Sequence, residues 1–329
     1  MQSKTRRDGQ CVKINLSRGV ISPGELVNLL IPLEEAGITE VKFGSRQQLY
    51  FRINDIQLEE LEYTLLNQEF AYEIGQDRYP NIVSSYVSDG LFNQSSWIRE
   101  GVYKDILDSF DFNPTLKVNI VDSTQSLVPY YTGNLNFITS ELSNYWHLQL
   151  RFPKSTLFYT WSSLVNTDDI AILSQFLEPM MIEAMVTTAN EGQQFGQKLE
   201  GMAIGSGKFL FQPIGQPFSE PIFKLPYYEG FNTYQDKLWL GVYRRSETFP
   251  IAFLRDICML CMQHRIGQLY TTPWKSIIIK DIKGSARPAW DVVLDRHRIN
   301  LRHALNELNW MTEDFDPTAL ALKQELVHH

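Results

Sequence analysis

A pattern that occurs twice constrains this chain more than anything else in it. Val12 to Phe51, VKINLSRGVISPGELVNLLIPLEEAGITEVKFGSRQQLYF, reads as strand, helix, strand, strand. VKINL alternates apolar and polar residues, Pro23 and Gly24 open a helix, EVKF is a second strand, and QLYFRI alternates again. A shift of 227 positions, without a gap, lands on Trp239 to Ile278. Strand then falls on strand, Pro23 on Pro250 at the helix start, and Phe43 on Tyr270. Residue identity is low, so the repeat rests on the shared pattern. A period of this length predicts a duplicated half-domain instead of a solenoid.

The rest of the chain reads as helices and strands between and after the two copies. Ile56 to Glu69 is predicted helical, with Leu58, Leu61, Leu65 and Leu66 on one side. Trp97 to Phe110 is a second helix, capped by Ser95 or Ser96. LKVNIVD (Leu116 to Asp122) and HLQLRF (His147 to Phe152) alternate as strands, with LNFITS between them as a third. Thr167 is expected to cap one long helix through Glu191, kinked or divided near Leu177 by Pro179. Gly201 to Gly230, rich in Gly and Pro, reads as a linker. A helix from Arg287 to Arg296 and a helical tail from Ala319 to Val327 complete the pattern.

The expected fold class is therefore α+β, two βαββα halves around a central α/β portion. Its boundaries are 1–75 for the first half, 76–225 for the centre, 226–300 for the second half, and 301–329 for the start of a following segment. Duplicated halves can pair about a pseudo-twofold axis, which makes the cleft between them a natural ligand site.

Composition excludes several function classes. A net charge of −8 argues against general nucleic-acid binding, which needs a basic surface. No apolar run approaches the roughly 20 residues that span a bilayer, and MQSKTRRDGQ has no apolar core of a signal peptide. Three cysteines cannot build a disulfide framework, so a reducing, cytoplasmic setting is expected. His328 and His329 read as the start of a purification tag, which would place the end of the sequence inside a longer protein.

Two motifs read as structural. Cys258 and Cys261 form a C-x-x-C inside the helix after Pro250, on one face with Leu254 and Ile257, where buried core thiols are expected. Cys11 reads as a strand residue without chemistry. GMAIGSGKF (Gly201 to Phe209) imitates a phosphate loop, but Met202 and Ala203 stand where glycine is required and Phe209 replaces the magnesium-binding hydroxyl.

INLSRGVIS (Ile14 to Ser22) followed by FGSRQQLYFRI (Phe43 to Ile53) resembles the first ferredoxin-like half of sirohaem-dependent nitrite and sulfite reductases. PNIVSS (Pro80 to Ser85), PTLKVNIVD (Pro114 to Asp122) and TTPWKSIII (Thr271 to Ile279) resemble later segments of that family, in the family's order. The resemblance implies a cationic cluster that binds the carboxylates of sirohaem and an anionic substrate. Carried over residue by residue, it assigns that role to Lys13, to Arg46 with Gln47 beside it, and to Lys117. Two members are missing, since Pro80 and Thr115 replace an arginine and a lysine; Arg78 stands nearby. The family's four-iron cluster is implied absent, because Leu305 and Met311 occupy the first two cysteine positions. VKINL, FNQSSW, EGVYKDI, LPYYEGFN, IGQLYTTPWKS and NELNW narrow the resemblance to a degenerate reductase-like region found upstream of rubredoxin in bacterial proteins.

Arg244 and Arg245 are the pseudo-symmetric partners of Ser17 and Arg18, and Arg245 joins the candidate cofactor-binding residues. Arg298, Arg302 and His303 are either part of a solvated connection or further members of the same anionic pocket. Tyr227, Tyr228, Trp239, Trp274 and Trp310 read as core aromatics. Two functions are expected to compete. One is a redox-associated protein that binds a tetrapyrrole such as sirohaem, or a small oxyanion, and works with a rubredoxin module or another electron carrier. The other is a non-catalytic interaction or assembly domain on the same scaffold. They differ in whether Lys13, Arg46 and Lys117 line one cleft.

Overall fold

The structure, a computed structural model, describes residues 9–67, 71–94, 96–216, 218–220 and 222–328. The chain folds as two units, one holding the segments up to Arg78 and from Tyr227 onward, the other Tyr79–Pro226.

The first unit begins with β1 (Gln10–Asn15), a two-residue β2 (Val20–Ile21), α1 (Pro23–Glu35), β3 (Glu40–Phe43), β4 (Gln48–Ile53), α2 (Asp55–Asn67) and β5 (Tyr72–Ile74). Ser22 and Glu25 form a capping box that starts α1, with Pro23 at the first helical position. Leu26, Leu29, Leu30 and Leu33 recur at helical spacing and are buried. Each contributes about 1.5–3 kcal/mol relative to exposure. Gly37, at φ +80°, ends the helix, and the Ile38 N–H reaches back to the Leu33 carbonyl at 2.9 Å. In α2 the expected stripe is narrower, for Leu61 and Leu65 are buried while Leu66 is exposed.

The second unit holds β6 (Val83–Ser84), α3 (Glu100–Asp108), β7 (Val118–Val121), β8 (Leu135–Thr139), β9 (Tyr145–Arg151), β10 (Phe158–Thr160), β11 (Ser163–Asn166), α4 (Ile170–Glu183), α5 (Ala189–Gly205) and β12 (Phe211–Pro213). Its sheet runs β12-β11-β9-β8-β7-β6, with β10 also paired to β9. β6, β7 and β8 are parallel and the remaining pairs antiparallel.

Three expectations fail here. α3 starts at Glu100, with Arg99 at its N-cap and no side-chain cap, and Ser95 lies outside the described residues. The long helix from Thr167 is two helices, preceded by a 3₁₀ turn whose cap is Asn166. It does not divide at Leu177. Burial of Leu173, Leu177 and Met181 on both sides of Pro179 holds α4 together to Glu183. The break falls at Ala184, in extended backbone, because Thr188 and Glu191 make a second capping box that opens α5. The supposed linker from Gly201 therefore begins as the last turn of α5.

The chain then returns to the first unit as β13 (Gly230–Tyr234), β14 (Lys237–Val242), β15 (Phe249–Pro250), α6 (Ile251–Gln263), β16 (Leu269–Thr271), β17 (Ile277–Ile282), α7 (Arg287–Arg296), α8 (Leu305–Leu308) and α9 (Pro317–His328). Two five-stranded antiparallel sheets result, β15-β3-β4-β1-β5 and β2-β16-β17-β14-β13. Four positions correspond; the fifth is filled by β5, which follows α2, in one sheet and by β13, which precedes β14, in the other. The pairs match at a shift of 228: Phe43 faces Leu49 as Thr271 faces Ile277, and Ile14 faces Leu49 as Val242 faces Ile277. The expected shift of 227 is thus one residue short for these paired strands. Pro250 accordingly precedes α6 as its N-cap, where Pro23 lies inside α1.

Each segment also lends an edge to the other sheet. β2 pairs with β16, and β15 pairs with β3. The Ile251 N–H, at the start of α6, donates to the Thr39 carbonyl at 2.9 Å. One core gathers α1, α6, α7 and both sheets, with Cys258 and Cys261 fully buried in it. Among the described residues, no helix is long and apolar enough to cross a membrane.

Candidate functional site

The resemblance points to the turns between the last two strands of each sheet and to the centre of β1. Alternation in β1 turns Val12 and Ile14 into the core and Lys13 to the opposite face. Register places Lys13 directly between Tyr50 on β4 and Glu73 on β5. Cross-strand neighbours at that spacing interact, and the Lys13 ammonium pairs with Glu73 and, at 2.5 Å, with Asp77. Lys13 is 2% exposed. A lysine buried this far requires such partners.

Arg46 and Gln47 lie in the β3–β4 turn, closed by Gly44 N–H to Gln48 O at 2.9 Å and Gln47 N–H to Gly44 O at 3.0 Å. The Arg46 N–H donates to Gln48 Oε1 at 2.9 Å. Burial pulls the Arg46 guanidinium down to about 10, with Asp77, Tyr50 and Asp314 opposing the shift. Gln47, fully buried, donates from Nε2 to the Thr271 carbonyl of β16 at 3.0 Å. Gly19, at φ +65°, makes room for it, since a Cβ there would meet Gln47 Nε2 at 2.3 Å. The Thr271 hydroxyl returns a bond to the Gly19 carbonyl at 3.0 Å. Gln47 therefore ties one sheet to the other.

The matching turn of the second sheet repeats the same bonds, Thr272 N–H to Ser276 O at 3.0 Å and Lys275 N–H to Thr272 O at 3.2 Å. Lys275 holds the place of Gln47, and both have positive φ, +55° and +60°. Sequence reasoning missed it; a lysine in the second copy of the turn was the available signal. Its ammonium is within 2.8 Å of Glu247, 3.1 Å of Thr312 Oγ1, 3.2 Å of the Glu313 carbonyl and 3.3 Å of Asp314. Asp314 also accepts from the Ser45 N–H at 3.1 Å and the Ser45 hydroxyl at 2.9 Å. One carboxylate from the loop between α8 and α9 thus bridges both turns.

Arg245 sits past the end of β14 and makes a bidentate pair with Glu307 of α8, both contacts 2.8 Å. Its guanidinium is raised by that bond. Burial would raise the Glu307 carboxyl, but the Arg245 bond and the charges around it hold the group below the ordinary range. Arg244, Arg245, Arg298 and His303 line a cavity of about 360 Å³; Arg302, Lys13 and Arg46 are not among its lining residues. His303 Nδ1 lies 2.6 Å from Glu229, which also accepts the His303 N–H at 2.8 Å. Lys117 belongs to the second unit, exposed at the start of β7, and lines a cleft there with Arg151 and Lys154. Neither Lys13 nor Arg46 lines that cleft.

A tetrapyrrole of the implied kind brings carboxylates that need cations. Lys13 and Lys275 are already matched by Glu73, Asp77, Glu247 and Asp314, and Arg46 lies in the field of two of these. The residues of these two turns do not fit that ligand. The thiols do not supply cluster ligands either, because burial pushes Cys258 up to about 12 and raises Cys261 further. Among the described residues, no three His, Cys, Asp or Glu side chains are placed to hold a metal ion. Leu305 and Met311, at the implied cysteine positions, lie at the start of α8 and in the loop after it.

No family model and no curated protein matches the sequence. Among solved structures the chain is similar to the Mycobacterium tuberculosis NirA protein, with a TM-score of 0.66 at 13% identity over 89% of this chain. It spans 57% of that protein's length. What the two share is a fold.

Proposed function

We propose that this chain is a non-catalytic interaction or assembly domain on the nitrite and sulfite reductase scaffold, in which the inherited cations act inward. A single observation carries the reading: Lys13 and Lys275 are buried against Glu73, Asp77, Glu247 and Asp314. Such a network fixes the two turns and the α8–α9 loop to one another. It leaves the two lysines no charge to offer a tetrapyrrole or an oxyanion. The four corresponding strand positions and reciprocal edge strands support two ferredoxin-like halves related by duplication.

The redox-associated alternative, with a rubredoxin-type electron carrier, draws support from the shared fold and the sequence resemblance. Fold alone does not carry an activity. Titrating the purified full-length chain with haem and with sirohaem separates the two. The assembly reading expects no saturable absorbance shift with either. A stoichiometric shift that disappears in Arg46→Ala would overturn it.

A further inference from the structure

We propose that the second unit binds a small molecule carrying a phosphate or pyrophosphate group, in the cleft at the start of β7. The cleft measures about 690 Å³, within the range of small-molecule sites, about 300–1,000 Å³. Three cations line it, Lys117, Arg151 and Lys154, and no aspartate or glutamate does. In a chain of net charge −8 that separation is local and directed.

The three cations stand on a fixed frame. Asn134 joins the strands that carry two of them: its N–H and side-chain oxygen bond the Lys117 backbone at 2.6 and 3.0 Å. Its carbonyl and side-chain nitrogen bond the Arg151 backbone at 2.8 and 3.1 Å. Gly133 allows that approach, since a Cβ would meet the Lys117 carbonyl at 2.8 Å. The Arg151 guanidinium is steadied by Nε–H to the Ser155 carbonyl at 3.3 Å and by the Phe158 ring at 6.0 Å. Lys154 sits at the β9–β10 turn with φ +56°.

One neutral donor completes the set. Asn119 donates to the Thr132 hydroxyl at 2.8 Å, so that hydroxyl keeps its own proton to give, and Thr132 lines the cleft. Two acids of the flanking helices are engaged with backbone instead. Glu178 accepts from Thr115 N–H at 2.9 Å, and Glu191 caps α5 through Thr187 and Thr188 at 2.9 and 3.1 Å. An arginine fork, two ammonium groups and a hydroxyl suit a multiply charged tetrahedral anion. The acidity of the whole chain opposes a nucleic-acid backbone as its source.

The site uses none of the residues behind the assembly reading, so a haem titration and a phosphate titration fail separately. Calorimetric titration of the full chain with inorganic pyrophosphate and with ATP, at low salt, tests it. Saturable binding is expected, weakened about tenfold by each of Lys117→Gln, Lys154→Gln and Arg151→Gln. Arg298→Gln, in the other cavity, should leave it unchanged. Lys117 and Lys154 are exposed, so their variants keep the fold, which thermal unfolding checks. No binding at millimolar ligand, or binding retained in Lys117→Gln/Lys154→Gln, overturns the site. So does tighter binding of a short single-stranded oligonucleotide than of pyrophosphate.

Discussion

At the scale of residues, Lys13 and Lys275 stand in buried ion pairs. Removing one partner of such a pair strands the other and costs about 3–5 kcal/mol. Lys275→Ala should destabilise the protein by that amount, read from the midpoint shift in urea, because Glu247 and Asp314 lose their ammonium together. A cost under about 1 kcal/mol would show the network to be solvent-screened instead. Glu307 carries a pH dependence. Its folded pKa lies below the ordinary carboxyl value of 4.5. The unfolded chain therefore binds the proton more readily, and the stability from this group, present above about pH 4.5, is lost as pH falls through the lower folded value. Glu307→Gln should flatten that acid limb and cost about 1–2 kcal/mol at neutral pH, discounted because Arg245 is half-exposed. An unchanged limb in an acid titration of stability would refute the assignment.

At the scale of elements, periodicity located most helices and strands, and tertiary packing moved their ends. Arg287–Arg296 came out at the expected residues, as did the central strands LKVNIVD and LNFITS in outline. The division between α4 and α5 did not, since a proline is a strong local signal and burial on both sides overrode it. A close approach between two elements is equally invisible in the sequence. Gly196 of α5 lies so near Tyr159 that a Cβ would sit 2.1 Å from the ring, and Tyr159 in turn donates to Glu200 at 2.6 Å. Gly196→Ala should cost about 1–3 kcal/mol by overpacking, despite its better helix propensity. A gain in thermal stability would mean the ring can move aside.

At the scale of the whole molecule, the edge strands β2 and β15 cross between the two sheets of the first unit. Neither sheet can complete its edge from its own segment, so the two should open together. Leu30→Ala in α1, expected to cost about 2–5 kcal/mol, should lower hydrogen-exchange protection in Ile277–Ile282 as much as in Gln48–Ile53. Loss confined to the second of these would show two independent halves.

The sequence alone determined the α+β class and the residue types that resemble a reductase, because periodicity and order along the chain are local properties. Only the tertiary structure decided what those residues pair with. Lys13 faces Glu73 through strand register, Lys275 meets Asp314 across 39 positions, and Gln47 reaches a carbonyl in the other sheet. A lysine in a sequence carries the same charge whether it faces an incoming anion or a carboxylate of its own chain. Which of these it meets is fixed by long-range pairing, and on that pairing rests the proposal of a closed network in the first unit.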